Sequence, residues 1–116
     1  MGRSRSANPY AAARGHLIRA VAALAVGPDD LRARLPRVAP LLRRIRPADL
    51  PGVLRDDWRW VLAQLTQRPP RLRGRPVAWV TLVDARVATM RTARRVQVAQ
   101  RIVYVAERVR TIAGAE

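Results

Sequence analysis

The sequence predicts an all-α fold, a compact bundle of four to five helices that ends in a long C-terminal helix. Three observations lead there. Apolar residues return at three- and four-residue spacing in most segments, the signature of one-sided helices. Aromatic residues are scarce, with three Trp, two Tyr and no Phe, so the core is built from Leu, Val and Ala and suits helix-on-helix packing. Only one short Val-rich run resembles a strand, and no second run offers to pair with it. At 116 residues the chain is long enough for one core and too short for two.

Asn8-Pro9 forms a helix start, with Asn as N-cap and Pro at the first helical position. Leu17, Val21 and Leu24, with Ile18 and Ala25 beside them, carry the first helix to a stop at Gly27-Pro28. Asp29 and Asp30 cap a second helix whose apolar face is Leu31, Leu35, Val38, Leu42 and Ile45. Pro36 and Pro40 each remove a backbone donor and crowd the preceding turn, so this helix is expected to be kinked or split.

Past Pro47-Ala48-Asp49-Leu50-Pro51-Gly52, the residues Leu54, Trp58, Val61, Leu62 and Leu65 draw one continuous stripe on a third helix. Asp56 and Asp57 fall in its early turns, where the helix dipole favours negative charge. The first three helices are expected to pack around Trp58. The stretch Arg68 to Pro76 holds four Arg and three Pro and reads as an irregular loop. Val77 to Val83 has a strand-like composition, yet Trp79, Leu82, Val83, Val87 and Met90 fit a helix better.

Thr92 is the expected N-cap of a final helix from Ala93 to about Ala113. Val98, Ile102, Val105, Val109 and Ile112 form a seam alternating at four and three. At about 100° per residue, Val96, Ala99, Val103 and Ala106 make a second apolar strip. Arg94, Arg101 and Arg108 line a third side with Gln97 and Tyr104 alongside. A helix apolar on two sides is either central in its bundle or shared with a partner. The organisation is thus a basic N-terminal arm (1–8), one helical domain (9–113) with a basic loop at 68–76, and a short tail (114–116).

Charge is the principal functional signal. The chain carries 23 Arg, no Lys and eight acids, for a net charge of +15. Missing Lys, Cys and Phe beside abundant Ala, Arg, Gly and Pro resemble a G+C-rich coding sequence, so the choice of Arg over Lys carries little weight. The sign imbalance is different, because acids are equally available to such a genome and self-repulsion of this size destabilises the compact state. Guanidinium groups bind phosphate in two-pronged fashion. A polyanionic partner is therefore expected, with nucleic acid first, an acidic protein surface second and an anionic membrane surface third.

The expected phosphate-backbone contacts are Arg43 and Arg44, the loop residues Arg68, Arg71, Arg73 and Arg75, and Arg94, Arg95, Arg101 and Arg108 on the last helix. No helix-turn-helix spacing, zinc-finger ligand set or RNA-recognition aromatic motif is visible, so backbone contacts rather than base reading are expected. Trp58 belongs to the core stripe. Trp60, about 200° around the same helix, is an expected partner-interface residue together with Val96 and Val103. Burial under a neighbouring helix and base stacking are its alternative roles. Self-association through the C-terminal helix is a further expectation.

Catalysis is not expected. His16 is the single histidine, without Cys or a placed acid that would make a metal or base site. A Mg²⁺ nuclease needs converging carboxylates, and Asp56, Asp57 and Asp84 show no spacing that enforces convergence. No Gly-rich phosphate loop is present, and no cofactor is called for. The longest apolar run, Ala20 to Val26, is seven residues, against about 20 for a membrane span. Residues 1–28 hold Arg3, Arg5, Arg14 and Arg19 and no acid, as organellar presequences do, and the opening Met-Gly-Arg-Ser-Arg-Ser fits the loose myristoylation pattern. Both patterns are short and common, and a basic arm before an ordinary helix accounts for them. With no Cys for disulfides, a reducing compartment such as the cytoplasm is expected.

Overall fold

The computed structural model describes residues 9–25 and 30–114. Five α-helices pack into a bundle: α1 (Ala11–Ala25), α2 (Leu31–Arg43), α3 (Arg55–Thr66), α4 (Trp79–Thr89) and α5 (Thr92–Gly114). Among the described residues, three single 3₁₀ turns sit in the connections, at Pro47–Asp49, Gly52–Leu54 and Pro70–Leu72. Among the described residues there is no strand. From Trp79 onward the Val-rich run therefore forms the start of α4, with Val77 and Ala78 leading into it, because Leu82, Val83 and Val87 fall on one buried helical face.

Local chemistry explains most of the boundaries. Pro9 and Tyr10 form a turn, and α1 begins after them with the Arg14 N–H bonded to the Tyr10 carbonyl at 2.8 Å. The expected cap Asn8, the stop at Gly27-Pro28 and the cap Asp29 lie outside the described residues. The Asp30 carboxylate does cap α2, accepting from the Ala33 N–H at 3.3 Å. α2 is not split: both prolines lie inside one helix. Pro36 is only partly covered and Pro40 is exposed, so their lost bonds fall where water can take over the freed carbonyls.

α3 follows the 3₁₀ turn directly, and its first turn holds Asp56 and Asp57. The seam of α5 is buried as its spacing implies, with Val98, Ile102, Val105 and Val109 all inaccessible. Thr92 is the first residue of α5 rather than its cap. The capping position is taken by Arg91, whose carbonyl accepts from the N–H groups of Arg94 (3.0 Å) and Arg95 (3.1 Å). The basic 68–76 stretch is not wholly irregular, because Pro70–Leu72 makes a 3₁₀ turn that Pro pre-sets with its fixed φ.

Helix α2 packs against all four other helices, and α5 against α1, α2 and α3. α1 packs on α2 and α5, while α3 packs on α4 and α5. The first three helices thus do not enclose Trp58 by themselves, since α3, which carries it, packs chiefly on α4 and α5 while α1 packs on α2 and α5. Trp58 is fully buried, and its indole N–H donates to the Ile45 carbonyl at 2.9 Å. That bond ties α3 to the chain leaving α2 and satisfies a buried polar pair. No polar or charged residue among those described is fully buried, so the cationic excess stays at the surface.

Candidate functional site

Two shallow hollows meet along one wall of α5. The first, 560 Å³, is lined by Trp60, Arg94, Gln97, Gln100, Arg101 and Tyr104. The second, 480 Å³, adds Gln67, Arg86, Thr89 and Arg91 and shares Arg94 and Gln97 with it. Together they form a groove between α3 and α5, closed at one end by the α4–α5 corner. No carboxylate lines either half.

Helical spacing places these side chains. Arg94, Arg101 and the more distal Arg108 recur every seven residues on α5, about 10.5 Å apart along the axis. Arg94 and Arg101 face α3, and Trp60 on α3 meets both. The Arg101 guanidinium lies 4.8 Å from the Trp60 ring centroid and that of Arg94 lies 5.9 Å away, both within cation–π range. Arg101 also pairs with Asp57 at 2.8 Å. That pair is half-exposed and contributes at most about 1 kcal/mol, but it fixes where the guanidinium sits.

The other half of the groove has no such neutralising acid. Arg86 donates from Nε to the Gln64 carbonyl at 2.8 Å, satisfying one of the last carbonyls of α3. Its other arm reaches Gln64 Oε1 at 3.3 Å, where Arg94 also donates at 2.7 Å. Two guanidinium groups therefore converge on one neutral amide oxygen. Burial, and after it the charge of Arg94, pull the Arg86 guanidinium below its ordinary pKa. Arg91, Arg94 and Arg95 moreover cluster at the start of α5, whose first turn contains no acid. The positive end of the helix dipole repels them, at a cost of about 0.3–1 kcal/mol each at a surface.

The expected contact residues divide into several groups. Arg94 and Arg101 lie in the groove, and Arg108 lies exposed farther along α5. Arg95 faces away from α3 and donates to the Val87 (3.0 Å) and Ala88 (3.2 Å) carbonyls, capping α4. Arg68 turns inward to the carbonyls of Leu72 (3.0 Å) and Arg75 (2.7 Å), and so holds the basic loop together. Arg71, Arg73 and Arg75 are exposed on that loop. Arg43 stacks over the half-buried Trp79 at 4.9 Å, with the exposed Arg44 beside it at the end of α2.

The expected interface residues are also separated. Trp60 belongs to the groove, whereas Val96 and Val103, 37% and 38% exposed, lie on the opposite flank of α5. Val103 borders an apolar hollow shared with Val21 and Leu24 of α1, and Ala99 and Ala106 of the same strip are half-buried. Among the candidate acids, Asp56 pairs with Arg59 at 3.0 Å and Asp57 with Arg101, while Asp84 is exposed. His16 Nδ1 accepts from the Arg19 guanidinium at 2.9 Å. Among the described residues no three His, Cys, Asp or Glu gather as a metal site, and no helix is long and apolar enough to cross a membrane.

Arg86, Arg91, Gln64 and Gln100 were not marked by the sequence. Arg86 is one Arg among apolar neighbours, between the core positions Val83 and Val87, a boundary placement that hints at a side chain held between helices. Comparisons with protein-family models, with curated proteins and with solved structures give no match to this chain.

Proposed function

We propose that this chain is a non-catalytic nucleic-acid-binding subunit that holds the phosphate backbone in the groove between α3 and α5, within a larger nucleoprotein assembly. The observation that carries the reading is the convergence of Arg86 and Arg94 on one neutral oxygen, beside Arg91 and Arg101 and without a carboxylate in the lining. A surface that merely keeps a protein soluble spreads its charges apart. Here like charges are held together by hydrogen bonds, and a phosphate supplies the missing counter-charge. Releasing counterions from several phosphates gives affinity that falls steeply with salt. The exposed Arg71, Arg73 and Arg75 extend the same positive field, while Arg68 and Arg95 support the scaffold.

The test is fluorescence anisotropy of a labelled random oligonucleotide titrated over a range of salt. The wild-type chain is expected to bind with a steep salt dependence, and the pair Arg91→Gln/Arg94→Gln to bind more weakly with a shallower slope and an intact melting transition. Unchanged affinity in that variant rejects the groove. A second reading, a protein-interaction module, draws on the partly exposed Val96 and Val103 and on the charge. It gains if polyglutamate competes with the oligonucleotide on equal terms at equal charge.

A further inference from the structure

Backbone binding leaves part of the groove unused. Around Arg101 the wall carries planar and amide surfaces: the Trp60 ring, the Arg101 guanidinium over it at 4.8 Å, and Tyr104, which is 49% exposed. Tyr104 follows Arg101 by three positions on α5, so the two side chains are neighbours on the helix surface. Gln97 and Gln100 border the same hollow and offer neutral donors and acceptors.

From these surfaces we infer that the groove seats an unpaired base, so that its ligand is single-stranded nucleic acid. In a duplex the faces of the bases are covered by their stacked neighbours and only their edges are reachable. A phenol ring and a guanidinium plane presenting π-faces are matched by a base that has left its stack. The amides of Gln97 and Gln100 suit the edges that pairing would otherwise occupy. Arg91, Arg86 and Arg94 hold the phosphate next to that base, in the half of the groove where charge is uncompensated. Because Arg101 is anchored by Asp57 at 2.8 Å, the stacking platform exists before the ligand arrives. Among the described residues Arg71, Arg73 and Arg75 stack on no ring, and the one other arginine–tryptophan stack, Arg43 on Trp79, lies outside the groove.

The inference rests on the backbone-binding reading, and one comparison separates the two. The full chain is titrated with a labelled oligothymidylate of about 12 nucleotides, and with an abasic phosphodiester of the same length and charge. The oligothymidylate is expected to bind roughly tenfold more tightly, with the same dependence on salt. Tyr104→Ala, at an exposed position outside the core, should bring the oligothymidylate to the abasic level and leave the abasic strand unaffected. Trp60→Leu should likewise weaken oligothymidylate binding, with a melting curve to establish that it folds. Equal affinity for both strands, or an equal effect of Tyr104→Ala on both, overturns the stacking role while backbone binding stands. Failure of both strands to bind overturns backbone binding, and the stacking role falls with it.

Discussion

Arg91 occupies the position where an arginine is least suited to the free protein, and Arg91→Asp tests why it is there. Its carbonyl accepts the first two bonds of α5, so it stands at the N-cap. An Arg side chain offers no acceptor to the unpaired N–H groups of that turn. An Asp does, and gains about 1 kcal/mol as a cap. Removing a cation from the positive end of the dipole and installing an anion there each add about 0.3–1 kcal/mol, with solvent screening favouring the low end. The sum is about 1.5 kcal/mol of added stability. At about 4 °C per kcal/mol for a chain of this size, Tm should rise by about 6 °C by differential scanning fluorimetry. Net charge falls from +15 by two, and the relief of self-repulsion acts in the same direction. On the proposed reading, the same change removes a phosphate contact from the groove. Oligonucleotide affinity should drop roughly tenfold, or about 1.4 kcal/mol, and the salt slope by about 0.7 for a single strand. A lower Tm would refute the capping argument. A higher Tm with unchanged affinity would remove Arg91 from the site.

Trp58→Phe leaves the Ile45 carbonyl without its donor, 2.9 Å away in the wild type, and opens a small cavity at a fully buried position. Orphaning a buried acceptor costs about 1–3 kcal/mol, so the urea midpoint should fall with the m-value unchanged. Arg95→Gln removes two bonds to the last carbonyls of α4. It should cost about 1–2 kcal/mol in the same assay and leave oligonucleotide affinity within about twofold, the reverse of the Arg91→Asp pattern. At low pH, Asp49 contributes to unfolding. Hydrogen bonds from the Arg46 side chain and backbone hold its carboxyl below the usual range. Its stabilisation is therefore complete above the unfolded pKa of about 3.9 and fades as pH falls through the lower folded value. The stability gap between wild type and Asp49→Asn should accordingly close below about pH 4. A gap that stays constant would assign Asp49 another role.

The bundle was legible because its helices announce themselves by period. The α5 seam from Val98 to Val109 and the α3 stripe through Trp58 are each buried along their length, since a three-four spacing leaves one face able to hide from water. Other features hid for physical reasons. Val77 to Val83 carries residues that suit either a strand or a helix, and packing on α2 and α3 decides between them. Pro36 and Pro40 break helices by rule, yet their exposed side of α2 tolerates the missing bonds. The groove was only half visible. Arg94, Arg101 and Tyr104 lie on one helix and could be aligned by angle alone. Arg86 and Gln64 join them from α4 and α3, and the relative register of separate helices is not written in any local spacing. Clusters along the chain misled for the same reason: Arg94 and Arg95 are adjacent, but one angular step of about 100° sends the first to Gln64 and the second to the carbonyls of α4.

That second arginine has a mechanical consequence. By gripping the Val87 and Ala88 carbonyls from the next helix, it braces the Met90–Arg91 elbow across its inner angle. Two helices joined by so short a corner would otherwise be free to scissor. The brace ties α5 to the end of α4 and so holds Arg86, on α4, near Arg91 and Arg94 at the start of α5. On the proposed reading, a strand entering there meets a socket whose shape is already set, so little ordering entropy would be lost on contact and association would not wait for a rearrangement.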